Sequence, residues 1–481
     1  MHFKAISKQL GKILLFNSLF LFISFLISLS LDENSDIHLL ISAVIPLVIG
    51  LTLVLSLPKV TDMKFNDGLV TVITGWIITC LVGMLPFAMW GHEFTLTNAW
   101  FESVSGFTTT GATILTDIES LPKGLLFWRS ATHWIGGVGI VLFTILVLPQ
   151  SSTERIVLLN TEISDLAKRN FQYRTKKILT ILVVVYVGLT VLETLSLFFA
   201  GMSLFDAVNH SFSTIATGGF STKNMSVAEF RSPLIDVIIM VFMVFSGIHF
   251  GLIFNTITGK KLNIFQSQIV RAFIFILFLG VLFVSVKLYF DGVYDNPWDA
   301  LRYGAFQVIS VGTTTGFATA DSANWPPFAI LILIYFTIQC AMVGSTSGGM
   351  KFDRIYLFVR SLKRQISLQR HPKAVISLKI DGVSVSESME MKVKTFIITY
   401  LMIILIVTLA LAAMDVDLMT AFSASIATIG NVGPGFAEVS SLGNYNGLPD
   451  LGKHLLTLNM LMGRWEIFTF ISLFTFDYWK S

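Results

Sequence analysis

Long apolar runs separated by short polar connections dominate the chain. Runs long enough to cross a bilayer as helices, roughly 20 residues each, begin near positions 11, 37, 69, 125, 177, 233, 270, 326, 395 and 452. The first two read as a hairpin. The remaining eight fall into four pairs, and each pair is interrupted by a half-length segment: 98–109, 205–216, 300–313 and 418–429. These segments carry Glu102, Ser105, His210, Ser211 and Ser425 and are too polar and too short to face lipid. Re-entrant segments are tolerated only where protein or a watery cavity surrounds them. Each begins with an alanine beside a polar residue, and Asp206 and Asp299 are suited to the N-cap position of a short helix.

Every half-length segment runs into a glycine-centred tetrad. The tetrads are Thr109-Thr110-Gly111-Ala112, Thr217-Gly218-Gly219-Phe220, Thr314-Thr315-Gly316-Phe317 and Asn431-Val432-Gly433-Pro434. Their glycines recur roughly every hundred residues, so the chain repeats one unit four times. From the leading alanine to the central glycine is 12 residues in repeats one, two and four but 16 in repeat three, which predicts a third short helix longer by about one turn. The expected division is an N-terminal hairpin (1–65) and four pore repeats (66–150, 151–260, 261–375 and 376–481). A short helix descending from outside points the negative end of its dipole into the membrane. Four such ends, each followed by a strand that turns carbonyl oxygens to a common axis, form a site for a dehydrated cation. Glycine accepts the backbone angles that aim successive carbonyls the same way, and the threonines add hydroxyls that can support the loop. Four surface turns between helices are the plainer alternative, but they do not account for a half-length helix before each one.

Composition agrees with this architecture. The chain has 481 residues, 54% of them hydrophobic and 13% charged, with a mean hydropathy of +0.75. A bilayer solvates that much apolar surface and a soluble core does not. Cys80 and Cys340 both lie in apolar runs, which excludes a disulfide framework or a cysteine metal site. The first run, Ile13 to Leu31, is long and lacks a clear cleavage site, so a retained helix is expected rather than a signal peptide. With the N-terminus inside and ten spans, 25 of the 33 lysines and arginines fall on the cytoplasmic side, which places both termini there. Many of them sit in 150–177 and 351–394, including Lys168, Arg169, Arg174, Lys176, Lys177, Arg360, Lys363, Arg364, Arg370 and Lys373. Anionic lipid explains most of that charge, although 351–394 is long for a connector.

Two features suit a gate below the glycine loops. The apolar run from Phe328 to Val343 is short and breaks at Gly344-Ser345-Thr346-Ser347-Gly348-Gly349-Met350 before Lys351. Irregular backbone at that depth needs a pore or protein around it. Its likeness to a phosphate loop fails because Lys351 does not directly follow Gly349. The second feature is Arg464, near the middle of the last run, 452–476. An arginine there is costly and faces the protein interior, and Glu466, two positions on, lies on a different face. One reading pairs Arg464 with carbonyls at a helix contact. The other places it in the pore near the Gly/Ser loop, where a fixed positive charge opposes a resting cation. His133, His249 and Glu193 read as interhelical hydrogen-bond partners rather than proton relays. Gly136-Gly137-Val138-Gly139 reads as close helix packing, and Lys287 as a snorkelling side chain.

On these residues the chain resembles the Trk/Ktr/HKT superfamily of potassium transporters. The likeness covers essentially the whole chain. It is carried by the stretches Ser105–Ala112, Ile215–Thr222, Val311–Phe317 and Ile429–Gly435, and the N-terminal hairpin favours the bacterial Trk membrane-subunit branch. The resemblance implies an all-α polytopic membrane protein: about ten transmembrane helices, with four helix–pore-helix–helix repeats in pseudo-fourfold arrangement around one pore. It implies potassium as the transported ion, because all four central glycines are kept, and the bacterial inner membrane as the location. The implied ligands are the carbonyls of Thr109, Thr110, Thr217, Gly218, Thr314, Thr315, Asn431 and Val432, beside Gly111, Gly219, Gly316 and Gly433. The fourth tetrad, Asn431-Val432, departs from the threonine pattern. A gate made of the 344–350 loop and Arg464, a homodimer, and a cytosolic nucleotide-binding (TrkA-like) regulatory subunit are also implied; an organic cofactor is not.

Two other classes fit less well. A secondary transporter for an organic solute uses inverted repeats with helices broken at mid-membrane, whereas these repeats all enter from the same side. An enzyme needs clustered reactive groups, and the chain has no His-Glu-x-x-His site and no Gly-x-Ser-x-Gly elbow. The residues leave open whether passage is channel-like or a proton- or sodium-coupled symport.

Overall fold

Large apolar side chains cover the outside of this molecule, and many polar residues are buried beside its apolar core, unlike a soluble domain. Ile49, Val191, Phe275 and Leu405 are exposed on their helices, while Asn98, Glu102, His133, Asn209, His210 and Asn459 are buried. A bilayer solvates the first group, and the second group bonds within the protein. The computed structural model describes residues 2–58, 65–147, 175–259, 263–374, 376–465 and 467–472. Lys168, Arg169, Arg174 and Glu466 lie outside these residues.

The N-terminal hairpin is α1 (Phe3–Ser30) and α2 (Asp36–Ser56). Repeat one comprises α3 (Phe65–Gly83), the short α4 (Leu85–Trp90), α5 (Leu96–Phe107) and α6 (Lys123–Val147). Repeat two comprises α7 (Thr175–Phe199), α8 (Leu204–Ile215), α9 (Pro233–Gly247) and α10 (Phe250–Ile257). Repeat three comprises α11 (Gln268–Phe290), α12 (Pro297–Gly312) and α13 (Pro327–Gln339). A basic helix, α14 (Phe352–Arg370), and a two-stranded antiparallel hairpin, β1 (Lys379–Ile380) with β2 (Val383–Ser384), follow. Repeat four comprises α15 (Glu387–Ala412), α16 (Leu418–Ile429), α17 (Asp450–Trp465) and α18 (Ile467–Ser472).

The half-length helices α5, α8 and α16 have 12 residues each, whereas α12 has 16, the extra turn that the glycine spacing predicts. Their N-caps differ from expectation. Ser203, not Asp206, caps α8: its hydroxyl accepts the Asp206 N–H, and the Asp206 carboxylate accepts the Ser203 hydroxyl at 2.7 Å. This is a reciprocal box, in which the acidic residue belongs at the third helical position. Asn296 caps α12, and Thr95 and Asp417 cap α5 and α16.

Among the described residues, two expected spans are interrupted. The run beginning near 233 is bent by 104° between α9 and α10. There Ile248 is extended, and the His249 ring accepts the Gly251 N–H at 2.9 Å to start a new helix. The run beginning near 326 leaves the helix after Gln339, four residues before its apolar character ends, with Cys340 at φ 58°. The unwound backbone is satisfied by protein. The Met342 N–H donates to the Gly247 carbonyl at 3.1 Å, and the Val343 N–H donates to the Asp353 carboxylate at 2.7 Å.

Candidate ion pathway

Each half-length helix ends in the same way. The N–H of Thr109, Thr217, Thr314 and Asn431 bonds three residues back, and the next N–H bonds five back, to Ser105, Ser213, Ser310 and Ala427. This doubled closure requires a left-handed residue just past the helix. Here that residue is Thr109, Thr217, Thr314 or Asn431, at φ 53°, 55°, 62° and 51°. A β-branched residue there is strained by about 1–3 kcal/mol. Two residues on, Gly111, Gly219, Gly316 and Gly433 are also left-handed, at φ 79°, 80° or 83° in the first three and 93° in the last. The four tetrads therefore share one backbone conformation.

They also form a closed ring. A Cβ added to Gly111 would overlap the carbonyl oxygen of Gly218; one on Gly219, that of Thr315; one on Gly316, that of Val432; and one on Gly433, that of Thr110. Each loop thus seats its glycine against the carbonyl of the next, in the order one, two, three, four and back to one. All twelve tetrad residues singled out in the sequence meet here: Thr109, Thr110, Gly111, Thr217, Gly218, Gly219, Thr314, Thr315, Gly316, Asn431, Val432 and Gly433. On the post-glycine side the loops open into one cavity, whose lining includes all four central glycines. The hydroxyls of Thr110 and Thr315 support their loops, pairing with Thr108 at 2.7 Å and with Thr313 at 2.9 Å. Repeat two has Gly218 instead of a threonine because the His133 ring occupies the side-chain space.

A set of braces escaped the reading of the sequence. Glu102, His210 and Gln307 each stand nine residues before their glycine. The Glu102 carboxylate accepts the Thr113 hydroxyl at 2.9 Å and the Ile114 N–H at 3.0 Å. His210 Nε2 meets the Ser221 hydroxyl at 2.9 Å, and the Gln307 amide donates to the Ala320 carbonyl at 2.6 Å. In repeat four the Ser423 hydroxyl accepts the Phe436 N–H at 2.9 Å. Each pore helix thereby anchors the strand leaving its own tetrad, and the constant spacing was the available signal. Arg129 crosses between repeats. It donates to Glu102 at 2.5 Å and to the Ser221 carbonyl at 3.0 Å, with its guanidinium 3.8 Å from the Phe220 ring centre. His133 bonds the Ser213 hydroxyl at 3.2 Å, an interhelical contact as expected, and stacks on Phe220. His249 caps its own helix and packs against Gly344. Glu193 is buried on α7. Lys287, part-exposed near the end of α11, pairs with Asp291 at 2.8 Å.

On the opposite side of the ring from the cavity lies the loop between α13 and α14. The Gly344 carbonyl accepts the Phe250 N–H at 3.0 Å. Ser345 donates to the Met342 carbonyl at 2.6 Å and meets Ser347 at 2.9 Å. Thr346 donates its hydroxyl to the Ile215 carbonyl at 2.8 Å, at the end of α8. Gly348 packs on Asn431, the Gly349 N–H donates to the Gly463 carbonyl at 3.3 Å, and Lys351 reaches back to Ser347. Arg464 closes the cluster, donating to the Thr346 carbonyl at 2.6 Å and to the Gly136 carbonyl at 2.9 Å. Arg464 thus bonds carbonyls, as the first reading has it, and one of them belongs to the Gly/Ser loop. Gly136 is a close helix contact, since a Cβ there would lie 2.7 Å from the Phe107 carbonyl carbon.

Pseudo-fourfold loops of uniform backbone, carried on half-length helices inside a helical membrane protein, define the class as a cation-transport protein. The TrkH family, described as a cation transport protein, matches residues 41–290 and 296–479, and the chain belongs to it. The Trk system potassium uptake protein TrkH of Escherichia coli K12 is 35% identical over 485 residues, covering all of both chains. Its counterpart in Halomonas elongata is 36% identical over 87% of both chains, and TrkG of Escherichia coli K12 is 31% identical over 87% of both. The crystal structure of the potassium transporter TrkH from Vibrio parahaemolyticus superposes with a TM-score of 0.89 at 31% identity, covering both chains fully.

Proposed function

We propose that this chain carries potassium into the bacterial cell across the inner membrane, with the ring of four glycine loops as its selectivity filter. The observation that supports this most is the ring's closure, in which each glycine lies against a carbonyl of the next loop. Carbonyls fixed in this way can replace an ion's hydration shell. The ligands are the carbonyls of Thr109, Thr110, Thr217, Gly218, Thr314, Thr315, Asn431 and Val432, beside the four glycines. Potassium is the transported ion and no organic cofactor takes part. The relatives named as potassium uptake proteins support the choice of ion.

The gate in this reading is the Gly344–Gly349 loop with Lys351 and Arg464. Arg464 ties the loop to α6 through Thr346 and Gly136, and its positive charge below the filter opposes a resting cation. Both termini face the cytoplasm, and the chain divides into the hairpin and four pore repeats given above. One polypeptide holds a complete path, so the homodimer serves assembly rather than pore formation. A cytosolic nucleotide-binding regulatory subunit docks on the face bearing α14 and the β1–β2 hairpin and moves the loop.

The test is radioactive rubidium uptake into liposomes holding this chain, driven by an outward potassium gradient. External potassium should block uptake, and equal sodium or an organic cation should not. Equal block by sodium would overturn the potassium filter, and block by an organic solute alone would favour the solute-transporter class.

A further inference from the structure

We propose that Asn431 makes the ion preference of the filter depend on the position of the intramembrane loop. This rests on reading the ring as a filter and the loop as its gate. The sequence singles out Asn431 because it breaks the repeat: the equivalent left-handed positions hold Thr109, Thr217 and Thr314. Asparagine tolerates that conformation, but its longer amide reaches where a threonine cannot. Its Nδ2 donates to the Thr110 hydroxyl at 2.9 Å, in the neighbouring filter loop, and to the Met460 carbonyl at 2.9 Å, on α17.

The loop and α17 enclose the same amide. A Cβ on Gly348 would lie 2.7 Å from both Cβ and Cγ of Asn431, and one on Gly463 would lie 2.7 Å from Oδ1. Gly463 is tied to the loop through the Gly349 N–H, and its neighbour Arg464 is tied to Thr346. Asn431 is fully buried, and these protein groups pack around its side chain. When the loop withdraws, Gly348 leaves the amide face and the wall that fixes the rotamer is gone. The bond to Thr110 is then free to break, and the Thr110 carbonyl is the one against which Gly433 is seated. Loops one and four therefore share a geometry that depends on the loop. Filter and gate become one two-state element, and coupling of this kind is reciprocal: an ion that prefers one filter geometry biases the loop to the same extent.

The test uses four full-length chains in liposomes: the parent, Arg464→Ala to release the loop, Asn431→Thr to restore the residue of the other repeats, and the double variant. The readout is the ratio of sodium to potassium concentrations that half-block rubidium uptake. Arg464→Ala should change this ratio at least about fivefold in the parent, the lower end of measured allosteric couplings, and leave it unchanged in Asn431→Thr. The same change in both backgrounds would overturn the coupling while leaving the transport reading intact. Uptake in the parent that potassium fails to block would overturn the transport reading and the coupling with it.

A second readout does not depend on flux. With Ser345→Cys as a reporter, since Cys80 and Cys340 are buried, thiol labelling should differ between potassium and sodium in the parent background. In the Asn431→Thr background that difference should vanish. Equal ion dependence in both would overturn the proposal, and because threonine is native at three equivalent sites the variant is compatible with the fold.

Discussion

Replacing Glu102 with glutamine tests whether the brace behind the first two glycine loops is energetically real. The carboxylate is fully buried and the Arg129 side chain is 2% exposed, with 2.5 Å between Nε and Oε1. Glu102 also accepts from the Thr113 hydroxyl and the Ile114 N–H. Glutamine keeps one acceptor oxygen but places an NH₂ group against donors and leaves Arg129 without its counter-charge. The Ser221 carbonyl and the face of Phe220 remain as partners, and neither carries a charge. Stranding one member of a buried ion pair costs about 3–5 kcal/mol, whereas removing both members is often near neutral. Glu102→Gln is therefore expected to lose about 3–5 kcal/mol, and Glu102→Gln with Arg129→Gln to lose at least about 2 kcal/mol less than the single variant. SDS-titrated unfolding in mixed micelles, followed by tryptophan fluorescence, measures both. A single variant within about 1 kcal/mol of the parent, or a double variant whose loss equals the sum of the two singles, would refute the reasoning.

Three further outcomes follow. Gly111→Ala forces a methyl group into the Gly218 carbonyl at a left-handed position, which should reduce discrimination of potassium from sodium about tenfold or more, or about 1.4 kcal/mol; an unchanged competition ratio would count against the ring. Arg464→Ala removes the bonds to Thr346 and Gly136 and should raise rubidium flux, with unchanged or reduced uptake in folded protein counting against a barrier role. Ser203→Ala removes the cap of α8 and its bond to Asp206 and should cost about 1 kcal/mol of stability in the same SDS titration; no measurable loss would deny the cap its role.

The ring of glycine loops was legible because backbone handedness leaves a mark in the residue types. Where a loop must turn left-handed against a neighbour's carbonyl, only glycine fits, so Gly111, Gly219, Gly316 and Gly433 stand out at regular spacing. The half-length helices were legible from polarity, and the longer α12 from simple spacing. The caps were misassigned because Ser203 and Asp206 are both good capping residues, and only their reciprocal bonds decide between them. The early end of α13 was hidden because Ala341, Met342 and Val343 are buried in protein after the helix stops, so their apolar character continues past the break. The Thr346 and Gly136 groups that Arg464 bonds are carbonyls, which every residue has, and no pattern of side chains could name them.

The ring closes within one polypeptide, and that has a consequence for how such a site can change over time. In a pore assembled from four identical subunits, any substitution appears four times and must suit every position at once. Here each quarter mutates alone. Glutamate, histidine, glutamine and serine could each come to brace a different loop, and a single asparagine could take on a task that its three threonine counterparts do not share.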